Sequence, residues 1–360
     1  MLIFSAIMAI LLAVVTLLPH VPVAHGAVRV GDFPRQQFLA LALAMLALAL
    51  LFGEADAAWL VVQIAFLAVA ATQAFFIAEF TPIWRKQTKT YDPARDSGQS
   101  LRLVAANVKM SNHSYVLFEK TIAAQDPDLL VLMEVDKKWV DAIPGTLARY
   151  PHRVERPQDN SYGMVLASKF ELADISVQCL LTEGVPSIIA TVVVPDGQRF
   201  RLYSIHPEPP VPNAGSEGRD GETALVALKA RDETLPVIVT GDLNDVAWSG
   251  TTSRFRRLSG LLDPRIGRGL VNTFDARYPP IRWPLDHLFH SAHFRLVAMD
   301  RLEASGSDHF PVMFDLVLCP DKKAESTPDE PEAGDEKRAK DLIGQAERRD
   351  GPPVGSDWEK

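Results

Sequence analysis

Cysteine is nearly absent: Cys179 and Cys319 are the only two in 360 residues. That excludes a disulfide framework and a thiolate zinc site, leaving one disulfide or two small apolar core residues. No glycine-rich phosphate loop occurs, so nothing supports a nucleoside-triphosphate reading. Excess positive charge is missing too. With 37 Lys+Arg against 45 Asp+Glu, the formal net charge is −8, so nothing points to an electrostatic nucleic-acid binder and nucleic acid is not favoured as a partner. No Lys or Arg lies in the first apolar run, which argues against a cleavable signal peptide, although Ala24-His25-Gly26 would pass as a cleavage site. Bulky apolar side chains are scarce in residues 321–360. The 12 acidic and 8 basic residues there, with Pro and Gly, predict a disordered tail.

Long apolar runs are what the first 84 residues do have. Met1 to Leu18 carries no charge, Phe38 to Phe52 is uninterrupted, and Ala57 to Ala78 has only Gln63, Thr72 and Gln73 as larger polar breaks. A spanning helix needs roughly 17–25 such residues. Three transmembrane helices are therefore expected in 1–84, the last two forming a hairpin through Gly53-Glu54-Ala55-Asp56. Basic residues set the orientation. Arg29 and Arg35 follow the first run, Arg85, Lys86 and Lys89 follow the third, and the second connection has none. Both basic stretches fall on one side, which places everything after residue 84 in the cytoplasm. Cleavage of the first run would instead leave a hairpin and could put that part in the periplasm.

After a polar linker, 85–100, the pattern becomes apolar strand, loop, helix over 101–320. LRLVAANV (101–108), DLLVLMEV (128–135), GMVLAS (163–168), SIIATVVV (187–194), RFRLYSIH (199–206), PVIVTGDL (236–243), DHLFHS (286–291) and FPVMFDLVL (310–318) read as strands. Residues 116–125 and 221–235 read as helices, and Asp196-Gly197 as a hairpin turn. Mixing hairpins with crossovers implies two packed sheets with helices outside.

Polar residues recur at the same place in these units. Asn107 and Glu134 stand at strand ends, His206 closes its strand, and Asp242 and Asn244 sit in GDLND. Asp286 follows Trp283-Pro284-Leu285, and Asp308-His309 lies in GSDHFP. Strand ends form one rim of a sandwich, so these side chains can converge. Singly each is ordinary: a lone Asp-x-Asn is usually a turn, and a strand-end His is usually just hydrogen-bonded. Together they supply what phosphoester cleavage requires, namely charge stabilisation, activated water and a protonated leaving group. Hard oxygen donors suit Mg²⁺ or Mn²⁺. Glu134, with Asn107 and Asp308 beside it, is the candidate metal set. His309 could polarise water or bind phosphate, with Asp286 fixing its tautomer. Asp242 and Asn244 could orient nucleophile and phosphoryl oxygens, and His206 could donate to the phosphate or leaving oxygen.

In this order the motifs resemble the endonuclease/exonuclease/phosphatase superfamily, over about residues 100–320. The stretches NSYGMVLAS (160–168), HPEPPVP (206–212), GDLNDVAWSGTTSRF (241–255), LLDPRIGRG (261–269) and RWPLDHLF (282–289) resemble its membrane-anchored, YafD-like bacterial branch. The resemblance implies an α/β four-layer sandwich of two mixed β-sheets flanked by helices, Mg²⁺ dependence and phosphoester hydrolysis. It also implies a multi-pass protein of the bacterial inner membrane. The substrate does not follow. A lipid-linked or small phosphoester beside the bilayer is one reading. Tethered DNA or RNA cleavage is the second, disfavoured by the −4 left for 101–320. A non-catalytic scaffold is the third. Arg219 and Arg282, near the motifs, are candidate substrate contacts.

Overall fold

A computed structural model describes residues 1–319 and 326–359. In chain order the elements are α1 (Leu2–Leu17), α2 (Gly26–Arg29), α3 (Arg35–Phe52), α4 (Ala57–Ala78), β1 (Gln99–Asn107), α5 (Tyr115–Gln125), β2 (Leu129–Met133), α6 (Lys137–Ala142), α7 (Pro144–Leu147), β3 (His152–Arg156), β4 (Met164–Ser168), β5 (Glu171–Cys179), β6 (Pro186–Val193) and β7 (Arg199–Ser204). There follow α8 (Glu217–Arg231), β8 (Val237–Asp242), α9 (Gly250–Ser259), β9 (Asp286–His290), β10 (Phe294–Arg301), β11 (Val312–Leu318) and α10 (Asp335–Glu347).

The strands form two sheets, ordered β10-β11-β1-β2-β4-β3 and β5-β6-β7-β8-β9. Each contains one parallel pair, β1 with β2 and β7 with β8, among antiparallel neighbours. Parallel pairing needs a crossover, which α5 and α8 provide. Leu101, Leu103 and Ala105 of β1 meet Ile188, Ala190 and Leu202 of the other sheet in the central core. The alternate residues Val104 and Ala106 face outward, under Phe118, Ile122 and Trp139. Val237 and Val239 lie likewise under α8 and α9. Burial on both faces is why these strands read as continuous apolar runs. The expected four-layer sandwich is thus present. The sequence reading passed over β3, β5 and β10, which are edge strands with much of their length exposed and so carry little apolar pattern.

Three helices are long and apolar enough to cross a membrane. They pack on one another through Ala9, Leu12, Ala42, Met45, Val62 and Phe66. Small residues at such contacts let backbones approach closely. Their outer surface exposes Phe4, Ile7, Leu50, Val61, Leu67 and Phe75, a face that water does not favour and lipid does.

These helices are built into the sandwich. Arg29 donates to Asp220 at 2.9 Å, Trp248 Nε1 donates to Asp32 O at 2.7 Å, and Arg256 pairs with Glu79 at 3.0 Å. Phe80 packs with Val246, Trp248 and Leu285. The stretch expected to be a linker, 85–100, lies along the sandwich. Leu296 N donates to Lys89 O and Tyr91 N to Leu296 O, while Thr88 Oγ1 meets His290 Nε2 at 2.8 Å. Its polar side chains find partners there, which composition alone does not reveal.

The tail departs from the disorder expected of it. Asp335–Glu347 is a helix whose Ala339, Leu342 and Ala346 are buried, and Arg257 holds Asp335 at 2.7 Å. Its apolar stripe is made of mostly small side chains and is too weak to fold alone. It becomes sufficient against α8, where the close approach needs Gly221: a Cβ there would come within 2.7 Å of Ala346 Cβ. Residues 321–325 of the expected tail lie outside the described residues.

Candidate active site

Each strand delivers its polar residue to the same rim. Asn107 ends β1, Glu134 follows β2, His206 lies just beyond β7, Asp242 ends β8 and Asp286 opens β9. Asp308 and His309 precede β11. Local backbone is bent to achieve this. Glu134 (φ 58°) and Asn244 (φ 51°) are both left-handed, a conformation that costs most residues of order 1–3 kcal/mol and is retained where a site requires it. Gly241 has φ 144°, and a Cβ would lie 1.9 Å from Ile205 O, so the residue before Asp242 must be glycine.

Asp242 is the hub. Its Oδ2 accepts from Asn107 Nδ2 at 3.1 Å and lies 3.5 Å from His309 Nε2 and 3.8 Å from His206 Nε2. Its Oδ1 accepts from Asn244 N at 2.9 Å. Asn107 Nδ2 also donates to Glu134 Oε1 at 2.7 Å, and its Oδ1 accepts from Lys109 N at 3.0 Å. Asp286 Oδ2 bonds His309 Nδ1 at 2.8 Å. Lys109 Nζ donates to Asp308 Oδ2 at 2.6 Å. Asn244 Nδ2 donates to Pro207 O at 2.9 Å.

Electrostatics divide the two histidines. Burial pushes His206 down to about 4, keeping it neutral. Burial would lower His309 as well, but the carboxylates of Asp286 and Asp242 outweigh it and hold the ring protonated up to about 10. Burial pushes Glu134 up to about 7 and raises Asp242 against the pull of His309. Such opposed shifts in one pocket are how a site keeps one group acidic and another basic. Glu134, Asp242, Asp286, Asp308 and Glu359 face Lys109 and His309, with Arg277 reaching Asp308 at 3.5 Å, so carboxylates outnumber cations. Ligand atoms of Asp242, Asp286 and His309 lie within 4.8 Å of one another, close enough for a metal. Asp286 Oδ2 and His309 Nδ1 of that trio are already bonded to each other at 2.8 Å.

The cavity, of about 280 Å³, is lined by Glu134, His206, Asp242, Asn244, Asp308 and His309 among others. Asn107 and Asp286 stand behind the lining, both buried. The Asn107 oxygen expected to face a metal accepts from Lys109 N instead, and its NH₂ steers Glu134 and Asp242. Neither candidate arginine lines the cavity. Arg219 is buried between Asp220 and Asn244 O, because α8 turns it into the protein. Arg282 is spent on Asp275 O, Ala276 O and the Phe310 ring. Both are corrected from substrate contacts to structural residues.

Other groups went unnoticed in the sequence. Lys109 lies past the end of β1 in left-handed backbone (φ 58°), so strand alternation does not point to it. Tyr162, its ring 5.4 Å from His206, and Phe274, 4.9 Å from His309, had no pattern to reveal them. Phe33, Trp358 and Glu359 also line the cavity, from opposite ends of the chain.

The structure thus sets a carboxylate–histidine cluster at one rim of a four-layer sandwich. A model of the Endonuclease/Exonuclease/phosphatase family matches residues 104–309, and the chain belongs to that family. Among solved structures, a family protein from Bacteroides thetaiotaomicron is 19% identical, with TM-score 0.52, covering 62% of this chain and 99% of its own. The human Nocturnin catalytic domain with bound sulfate is 19% identical, with TM-score 0.51, covering 62% and 96%. TDP2 of D. rerio with a single-strand DNA product is 18% identical, with TM-score 0.51, covering 61% and 99%. Likenesses at this identity carry the fold alone. Among curated proteins none matches.

Proposed function

We propose that the chain is a membrane-anchored, divalent-metal-dependent phosphoesterase, hydrolysing phosphodiester or phosphomonoester bonds by attack of water. The observation that carries this reading is the Asp242 hub, a buried carboxylate in reach of both histidines and aligned by Asn107 and Asn244. The donor set fits a hard cation, because Glu134 and Asp308 bring carboxylate oxygens to a cavity whose buried negative charge is under-compensated. Glu134 and Asp308 would hold Mg²⁺ or Mn²⁺, with Asn107 orienting Glu134. When bound, the ion supplies Lewis acidity toward a phosphoryl oxygen and acidifies bound water.

The chain's own groups do the remainder. Asp242 takes the proton of the attacking water. His309, kept cationic by Asp286 and Asp242, stabilises negative charge on the phosphoryl group. Asn244, anchored to Pro207 O, presents its other amide atoms to the cavity. Neutral His206 offers a ring N–H hydrogen bond to the phosphate or leaving oxygen, and the proton that ends on the leaving oxygen is the one Asp242 took from the water.

Two further observations support a site at the bilayer. Phe33, from the connection between α1 and α3, lines the same cavity as Asp242. The end of α4 and the connection between α1 and α3 meet the sandwich, which fits three spans with every basic stretch on the catalytic side. A lipid-linked phosphoester suits that position. We place the domain on the cytoplasmic face of a bacterial inner membrane. A reporter replacing the chain after residue 90 should be active only in the cytoplasm, and periplasmic activity would reverse the orientation.

For the chemistry, the full-length protein in detergent should hydrolyse at least one member of a lipid, nucleotide and artificial phosphodiester panel. Chelation should abolish the activity, Mg²⁺ or Mn²⁺ should restore it, and Glu134→Gln should lose about 10²-fold or more with no rescue at moderate metal. No metal-dependent hydrolysis across the panel would end the reading.

A further inference from the structure

The last residues of the chain reach into the catalytic cavity. Val354, Gly355, Trp358 and Glu359 line it alongside Asp242 and His309. Glu359 Oε2 accepts from Ser111 N at 2.7 Å, and its Oε1 lies 3.4 Å from Lys109 Nζ, the ammonium that also holds Asp308. The segment is latched upstream. Arg349 forms a two-pronged pair with Glu208, Nη2 to Oε1 at 2.6 Å. Val354 N donates to Glu208 Oε1 at 2.7 Å, and Tyr162 OH donates to Val354 O.

Glu208 makes this more than an incidental contact. It is only 3% exposed and belongs to the Pro-rich loop that follows His206. Outside the tail its only side-chain partner among the described residues is Thr182 Oγ1, at 3.3 Å. With the segment in place Glu208 is buried and takes both the Arg349 guanidinium and the Val354 N–H, so the loop after His206 and the segment satisfy each other's polar groups. Tyr162, which packs on His206, also takes its hydroxyl partner from it.

We propose that residues 348–359 are a specificity element: they wall off one side of the active-site cleft and so admit small or terminal phosphoesters while excluding strands that must run through it. The inference rests on the phosphoesterase reading above. Binding a nucleic-acid strand takes a positive groove that follows several nucleotides of backbone. Here the cavity is small (about 280 Å³), and the wall carries Glu359 beside Lys109, a like charge facing any polyanion. A head group whose remainder lies elsewhere, in a bilayer for instance, meets no such obstacle.

The test compares full-length protein in detergent with a variant ending at Glu347, which keeps α10, and with Trp358→Ala/Glu359→Ala, which keeps the Arg349 latch. Each is assayed on bis(p-nitrophenyl) phosphate and on a labelled single-stranded oligonucleotide. Removal of the wall should raise kcat/KM on the oligonucleotide, relative to the small diester, by about tenfold or more. The double variant should move the ratio the same way by a smaller factor. An unchanged ratio in both variants overturns the inference while leaving the phosphoesterase reading intact. Absence of hydrolysis of either substrate by all three proteins overturns the inference, whereas the phosphoesterase reading falls only if the full lipid, nucleotide and artificial panel fails as well.

Discussion

Asp242→Asn should lower kcat by about 10²–10⁴-fold, the range a positioned acid–base group contributes, with KM changed far less. The substitution is nearly isosteric and keeps an oxygen for the Asn244 N–H. It removes the basic oxygen that stands between Asn107, His206 and His309. It also withdraws one of the carboxylates that keep His309 charged, beside Asp286 and Asp308, so proton acceptance and charge stabilisation weaken together. Steady-state kinetics on whichever small phosphoester proves active, with circular dichroism to verify folding, reads the effect. A loss below about tenfold would remove Asp242 from the proton path.

The second large effect is expected at Asp286, a positioning residue that acts through His309. Asp286→Asn should cost about 10²–10⁴-fold in kcat/KM, because a neutral amide no longer stabilises the imidazolium and can turn its own N–H toward Nδ1. A pH profile separates this role from mere support of the fold. Burial lowers the His309 pKa, while Asp286 and Asp242 raise it to about 10. Removing Asp286 takes away the larger of those raising influences, so the pKa falls. If catalysis uses the imidazolium, activity is held below that pKa and lost above it. The alkaline limb of kcat/KM should therefore move to lower pH in the variant. A uniform loss with an unmoved limb would mean that His309 does not act as a cation.

Much of this site was legible in the chain. Strands buried on both faces carry unbroken apolar runs, so the first polar residue after each run stands out, as Glu134 does after LLVLM and Asp242 after VIVTG. Why glycine must precede Asp242 was not legible, because it follows from Ile205 O lying 1.9 Å from where a Cβ would stand. Nor were the arginines. Arg219 lies one residue before Asp220 and close to the motifs, yet helical rotation decides whether it meets substrate or buried acid, and it meets Asp220. The edge strands β3, β5 and β10 lacked a signal because an exposed edge imposes little apolar pattern.

The tail shows where composition misleads. Twelve acids, eight bases and few bulky apolar groups describe a segment unable to build its own core. Ala339, Leu342 and Ala346 need none of their own, because α8 already offers a face with Gly221 cut away to receive them. Arg257 and Glu208 then supply opposite charges at separate points along its length. Those partners are between about 80 and 140 residues away in sequence, so a local reading cannot find them.

By itself, then, the sequence determined what depends on local pattern: the membrane-length helices, the buried strands and the type of polar residue at each strand end, since period and burial act over a few neighbouring residues. Only the tertiary structure decided that Asp242 is the hub, that Asn107 orients rather than faces the cavity, and that Phe33 and Trp358, more than 300 residues apart, share one pocket. Those outcomes depend on which rotamers, charges and surfaces meet across the fold, and no local pattern encodes that.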